Sequence, residues 1–518
     1  MKSHFGWIAI ILSLLVAGCG SSSSSSPSTG KSQTVGTNDS DVVSSINAMS
    51  VGDLYYVTFN SGVATLDFSS ADTAAKYKLI VQSTTSTGSN ISATAAALGK
   101  DPKGTLDSNL RDAEMSLADS GKEPAYRASP GVSVTKSLGS EKSFRVLSSI
   151  SSTTSYQTVT ATSRCVKDHI ELYIDSVLTD EHLTSDDISS LCDKFEYAAA
   201  IDEATFGASS DINGDGRVAV LVTHAINELG ASGGGIVTGY FYASDLYPRS
   251  SSNTTSNEME IVYILAPDPN GDFGISISKS FAMDNLMTAV VPHELQHAIN
   301  YNQHVLVNGG SSEKSWLNEG LSHFAEDAVG FGQENPSRVE VFLSEPAYYP
   351  IAPSSSPDLG ERGAEFLFIR YMYERAANPS GFITNLLNTT YTGQDNIEAA
   401  FAGTDYGFDE WEEFIRRWAV AVALTNTGIS ATPEYQFSDR GYNSTTAHWT
   451  GACLICDTED GRGTSLSGPS FATIGSSSQT VYLYGTAAEF YSINSHFNTI
   501  TLTGSSSASL QGVLIRVE

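Results

Sequence analysis

The chain runs to 518 residues and is 40% hydrophobic. That is too long for one compact core and too apolar for a disordered polypeptide, so roughly two to four domains are expected. The formal charge of −30, from 28 basic against 58 acidic residues, argues against a nucleic-acid partner. It suits a soluble extracytoplasmic protein and says nothing about catalysis.

In chain order, Met1-Lys2 supplies a short positive region and Trp7 to Val16 an apolar run. The run is too short for a membrane span, which takes about 20 residues, and has the length of a secretory signal. Val16-Ala17-Gly18-Cys19 then resembles the bacterial lipobox, in which cleavage exposes the cysteine for lipid attachment. Residues 1–19 are therefore expected to be a lipoprotein signal peptide, with Cys19 lipidated. The mature protein is expected to be held outside the cytoplasm, at the outer membrane or cell surface. Residues 20–41, with six consecutive serines from Ser21 to Ser26, read as a flexible tether.

Beyond it, residues 44–155 show short alternating runs such as Leu54–Phe59, Val63–Phe68 and Tyr77–Val81. These predict a small β-sandwich-like domain. A helical period covers Leu106 to Leu117, and Arg127 to Ser155 is loop-rich, so this part is a connector or a pro-segment. A catalytic region is expected over residues 158–440. Its early elements are strands at His169–Ile174, Val218–Val222 and Glu260–Leu265, and a helix from Ser185 to Ala198 capped by Thr184 or Ser185. Asp211, Asn213 and Asp215, followed by Gly216, have the spacing of the first half of a calcium loop. Val222 stands where the closing glutamate belongs, and a polar turn entering a strand accounts for the same residues.

The chain turns on His293-Glu294-Leu295-Gln296-His297. Residues four apart share one helical face, so the two histidines can hold one Zn²⁺ while Glu294 polarises a bound water. A catalytic zinc needs a third protein ligand. Glu319, in Trp316-Leu317-Asn318-Glu319-Gly320, is the best candidate; His323, one turn further on, is its competitor, or else supports the ligands from behind. Glu326, seven residues after Glu319, is placed to orient a ligand. His304 comes too late for the metzincin spacing. A donor for the developing oxyanion is sought among Tyr348, Tyr349, Tyr371 and His448.

H-E-L-Q-H followed by W-L-N-E-G-L-S-H-F-A-E-D resembles the gluzincin metallopeptidases, and among them most the hyicolysin-type enzymes. The resemblance spans about Ile170 to Ala423. It implies zinc on His293, His297 and Glu319, Glu294 as general base, and a protein or peptide substrate. By analogy, Glu260–Leu265 is the sheet edge to which an extended peptide would add. Two places depart from the pattern. His323 stands where several gluzincins carry an acid, and Pro292 directly precedes the first ligand, where a helix should start or kink.

Downstream, Glu361–Arg375 and Trp411–Leu424 read as amphipathic helices of a lower lobe, and residues 461–518 as a terminal β-module. Apart from Cys19 the cysteines are even in number. Cys165–Cys192 with Cys453–Cys456 is the most local of three possible pairings. The expected architecture is α+β, a zincin-like catalytic domain flanked by small β-sandwich-like domains. The expected activity is zinc-dependent endopeptidase, with calcium as a further possible ion. An aminopeptidase of the same clan and a non-catalytic surface-binding lipoprotein are the alternatives.

Overall fold

The computed structural model describes residues 41–86, 88–90, 102–125, 138–354, 357–401, 410–460, 464–475 and 480–518. The expected signal peptide, Cys19 and nearly all of the expected tether lie outside the described residues. The fold is α+β.

Four short strands come first: β1 (Leu54–Thr58), β2 (Val63–Asp67), β3 (Tyr77–Ser83) and β4 (Ser89–Asn90). In β2 only Ala64 and Leu66 point inward, the period of two of a half-buried strand. Helix α1 (Pro102–Asp119) follows.

A six-stranded sheet underlies the histidine helix. It comprises β5 (Glu141–Leu147), β6 (Tyr156–Val166), β7 (Ile170–Asp175), β8 (Val218–Val222), β9 (Gly239–Phe241) and β10 (Ile261–Ile264). Their spatial order is β5-β6-β7-β8-β10-β9. The central strands β7, β8 and β10 run parallel. All their residues are buried, as expected of strands covered on both faces. Helix α2 (Ser185–Phe206) crosses from β7 to β8. Its start is fixed by a capping box, in which the Thr184 hydroxyl accepts from Asp187 N–H and the Asp187 carboxylate accepts from Thr184 N–H. Helix α3 (His224–Ser232) leaves β8.

One expectation is corrected by this sheet. The Glu260–Leu265 segment is not the sheet edge, because β9 pairs antiparallel with β10 and takes the edge position. Three residues carry too little alternation to be read as a strand. Gly239 opens it, and a Cβ there would lie 2.8 Å from Val290 Cγ2, so glycine lets the edge strand lie against the histidine helix.

A single helical turn, α4 (Lys279–Phe281), widens into a π-helical turn (Ala282–Leu286) and runs on as α5 (Met287–Tyr301). The helix passes through Pro292 instead of starting there. Every residue of α5 is buried, the mark of a helix enclosed by protein on all sides. Helix α6 (Ser315–Val329) packs across it and ends at Gly330, which adopts the left-handed conformation at φ 88°. The helical part continues with α7 (Asn335–Ser344), α8 (Leu359–Arg375), α9 (Pro379–Leu387), α10 (Gln394–Phe401) and α11 (Trp411–Leu424). Gly320 on α6 permits close packing of α8: a Cβ there would be 3.0 Å from Ile369 Cγ1 and 3.3 Å from Glu365 Cβ.

Two hairpins follow, β11 (Gly441–Asn443) with β12 (His448–Thr450) and β13 (Ile455–Asp460) with β14 (Thr464–Ser467). The last strands are β15 (Ala472–Thr473), β16 (Tyr482–Leu483), β17 (Ala488–Ile493), β18 (Thr499–Thr503) and β19 (Leu510–Arg516). The sequence offers one β-rich module at each end of the chain, and the structure draws the strands of both into shared sheets. One has the order β1-β19-β3-β17-β15, and β2 pairs with β18 and β4 with β16. Val57, Leu66, Leu79, Ile500 and Leu514 contribute to their own apolar core. Similarly, β5 and the first residues of β6, assigned by sequence to the connector, belong to the sheet under the site.

Disulfides join Cys165 to Cys192 and Cys453 to Cys456. No helix among the described residues is long and apolar enough to cross a membrane.

Candidate metal centre

Helix α5 carries His293 and His297 one turn apart, and α6 delivers Glu319 to the same point. His293 Nε2 lies 3.4 Å from Glu319 Oε2, and His297 Nε2 lies 3.4 Å from Glu319 Oε1. Donor atoms at about 2.0–2.1 Å from a tetrahedrally bound zinc are separated by ~3.3–3.4 Å, so these spacings fit a metal cage. Two imidazole nitrogens and the oxygens of one carboxylate are also donors of the kind that zinc takes. Beyond the ion pair of Oε2 with Arg362 Nη1 at 3.1 Å, the Glu319 oxygens have no hydrogen bond among the described residues, and the residue is fully buried. The donor set therefore fits a divalent metal.

The surroundings keep Glu319 ionised. Burial alone would raise its carboxyl, but the Arg362 guanidinium, then His297 and His293, hold it well below the usual carboxylate range. Arg362, on α8, meets Glu319 Oε2 through Nη1 at 3.1 Å and is itself buried. Nothing in the sequence singles it out, since its helix reads as an ordinary amphipathic one.

His293 is fixed from behind, and His297 has a hydroxyl beside it. Glu326 Oε1 is 2.8 Å from His293 Nδ1 and 2.9 Å from His323 Nδ1. His323 thus braces Glu326 and stays outside the cage formed by His293, His297 and Glu319. Ser322 Oγ lies 3.1 Å from His297 Nδ1 and donates to Gln296 Oε1 at 2.6 Å. The Glu326 contact sets which nitrogen of His293 faces a metal, whereas Ser322 Oγ is also 3.3 Å from His297 Nε2 and lies beside both nitrogens of that ring.

Glu294 sits on α5 between the histidines, and its Oε2 accepts from the Phe241 N–H of edge strand β9 at 3.0 Å. This links the acid to the strand beside which an extended chain could lie. No sequence signal marked Phe241, because a backbone amide has no residue signature.

The other sequence candidates lie elsewhere. Asp211 Oδ1 accepts from Gly216 N–H, Asn213 Oδ1 from Asp215 N–H and Asp215 Oδ1 from Arg217 N–H, an arrangement that builds a polar turn. Among the described residues no third acid or histidine joins Asp211 and Asp215 in a metal-sized group. Tyr371 donates to the Glu434 carbonyl, and His448 is paired with Gln333. Tyr348 packs edge-on to Tyr349 and Tyr484. His304 Nε2 bonds the Leu386 carbonyl.

No known protein family and no curated protein matches the chain. Among solved structures it is similar to an aminopeptidase A of Legionella pneumophila, solved in complex with aspartic acid, at 12% identity and a TM-score of 0.29. That likeness covers 70% of this chain and 37% of the other, and is too remote to carry an argument.

Proposed function

We propose that the protein is a zinc-dependent endopeptidase that hydrolyses protein or peptide bonds outside the cytoplasm. The observation that carries this is the convergence of His293, His297 and Glu319 at 3.4 Å spacing, with Glu294 on the intervening turn. A zinc ion held by those three residues supplies Lewis acidity, polarising a peptide carbonyl and making water a stronger acid. Glu294 takes the proton from the attacking water and passes it to the leaving amine. Phe241 N–H orients that carboxylate. Among the described residues strand β9 pairs on one side only, and its other side is where an extended substrate would add next to Glu294 once the buried centre opens. The lipobox at Cys19 and the serine-rich tether support a location at the outer membrane or cell surface, with lipid as the anchor.

Zinc content and casein digestion test this together. The wild type is expected to hold about one zinc ion per chain, and His293→Ala or Glu319→Ala to lose it. Glu294→Ala should keep the metal and lose ~10²–10⁴-fold in cleavage. Cleavage indifferent to chelator, or to the loss of Glu294, would overturn the mechanism. Peptides with blocked N-termini should still be cut; a strict need for a free amine would make the enzyme an aminopeptidase.

A further inference from the structure

Helix α1 comes from far upstream of the zinc motif, yet it brings three charged side chains to the centre. Asp107, Arg111 and Glu114 follow an i, i+4, i+7 spacing, so they share one helical face, and all three are buried. Asp107 Oδ2 meets Arg362 Nη2 at 2.5 Å, and Arg362 in turn holds Glu319. Arg111 Nη1 pairs with Glu114 Oε1 at 3.0 Å. Glu319, Glu294 and Asp107 act on Arg111 through their charges, and His297, Glu319 and Glu294 on Glu114, so the pair lies within the field of the centre. On its flank α1 lies against Ala243–Leu246, which continues directly from edge strand β9. Asn109 Nδ2 also donates to the Ile150 carbonyl at 2.7 Å.

The helix thus packs on the continuation of β9 and brings a buried ion pair into the field of Glu294. His293, Glu294, His297 and Glu319 are each at most 2% exposed, so the centre is closed to a substrate in the conformation that has α1 seated.

The seat also carries a cost. Arg111 Nε is buried without a hydrogen-bond partner among the described residues, and burying under-satisfied charges is costly. The helix contains Gly104, Thr105, Ser108, Asn109, Asp112 and Ser116, all poor helix formers. Because the metal-binding residues and Glu294 come from α5 and α6, the cage does not need α1 to exist.

We propose that α1 is a self-inhibitory helix, closing the peptide cleft when seated and opening it when displaced. This rests on the peptidase reading above. The test weakens the seat in the full chain at two independent places. Leu106→Ala with Leu110→Ala removes apolar contacts of α1 without touching a charge, and Arg111→Glu sets a repulsive charge beside Glu294 and Glu319. Hydrogen exchange should show α1 amides opening faster in both variants while α5 stays protected, which establishes that the rest is folded. Casein cleavage by the zinc-loaded protein should then rise at least tenfold over wild type, and zinc release to 1,10-phenanthroline should accelerate. If α1 loosens but cleavage is unchanged or falls and zinc release keeps its wild-type rate, α1 is a fixed wall of the site and the proposal is overturned. It is equally overturned if α1 and α5 exchange together in the wild type. If no form cleaves casein but zinc release accelerates, α1 does cover the centre and the peptidase reading is what fails.

Discussion

The Glu326 carboxylate stands 2.8 Å from Nδ1 of His293, the imidazole whose opposite nitrogen faces Glu319. A negative charge there fixes the ring's orientation and tautomer and makes Nε2 the better electron donor. The same oxygen is 2.9 Å from His323 Nδ1, so α6 supplies both the anchor and the brace that keeps the anchor in place.

Replacing Glu326 by Gln should leave the fold intact, because the amide is nearly isosteric, but should weaken the cage. Zinc affinity is expected to drop by ~10–100-fold, the usual effect of removing such a partner. Competition with a fluorescent chelator measures it directly. An affinity equal to that of the wild type would show that His293 is positioned by packing alone.

What could be read in the sequence were the features whose cause is local. Thr184 or Ser185 announces a capped helix start, and His293 with His297 announce a shared helical face. Val218–Val222 reads as a buried strand because every residue is apolar. The features that escaped depend on distant neighbours. Phe241 acts through its backbone, and Arg362 matters only because Glu319 arrives from another helix. Arg111 and Glu114 look like solvated charges on an amphipathic helix until the fold buries them against the site. Pro292 reads as a helix boundary because its missing N–H is a local signal, yet the enclosed α5 carries on through it.

A pH effect on stability is expected away from the site. Glu489, on β17, borders a cleft of about 640 Å³ with Tyr348, Phe471 and Tyr482, and burial pushes its carboxyl up to about 7 from an ordinary 4.5. The folded protein therefore binds this proton more tightly than the unfolded chain does. The associated stability is fully present below about 4.5 and is lost as pH rises through about 7. Glu489→Gln carries no charge at any pH and should escape that loss. Between pH 5 and pH 8 the variant should gain on the wild type by on the order of 1–3 kcal/mol, discounted for partial solvent access. Urea midpoints at the two pH values measure it. Parallel pH dependences would show that water reaches the carboxylate freely.

The β-rich part of the molecule makes the last prediction. Strand β1 pairs with β19, β2 with β18, and β4 with β16. Strand β3 lies between β17 and β19, with Leu79 facing Tyr491 on one side and Leu514 on the other. Among the described residues none of the first four strands is paired with another of the first four, so apart from local bridges at Leu54 and Val63 their ladder hydrogen bonds come from residues some 400 positions later in the chain. Two buried side chains tie this sheet to α11: Gln82 Nε2 donates to the Ile415 carbonyl, and Gln511 Nε2 to the Glu412 carbonyl. A chain ending at Gly485 would leave β1, β2 and β3 with bare edges and their apolar faces uncovered, and unpaired strands of that length do not hold together in water. Limited proteolysis should therefore cut the truncated protein throughout residues 54–83, which the intact protein protects, while the six-stranded sheet and α5 resist. Equal protection of 54–83 in both forms would mean that the early strands find partners among themselves. The pairing to the C-terminal strands would then not be what holds them.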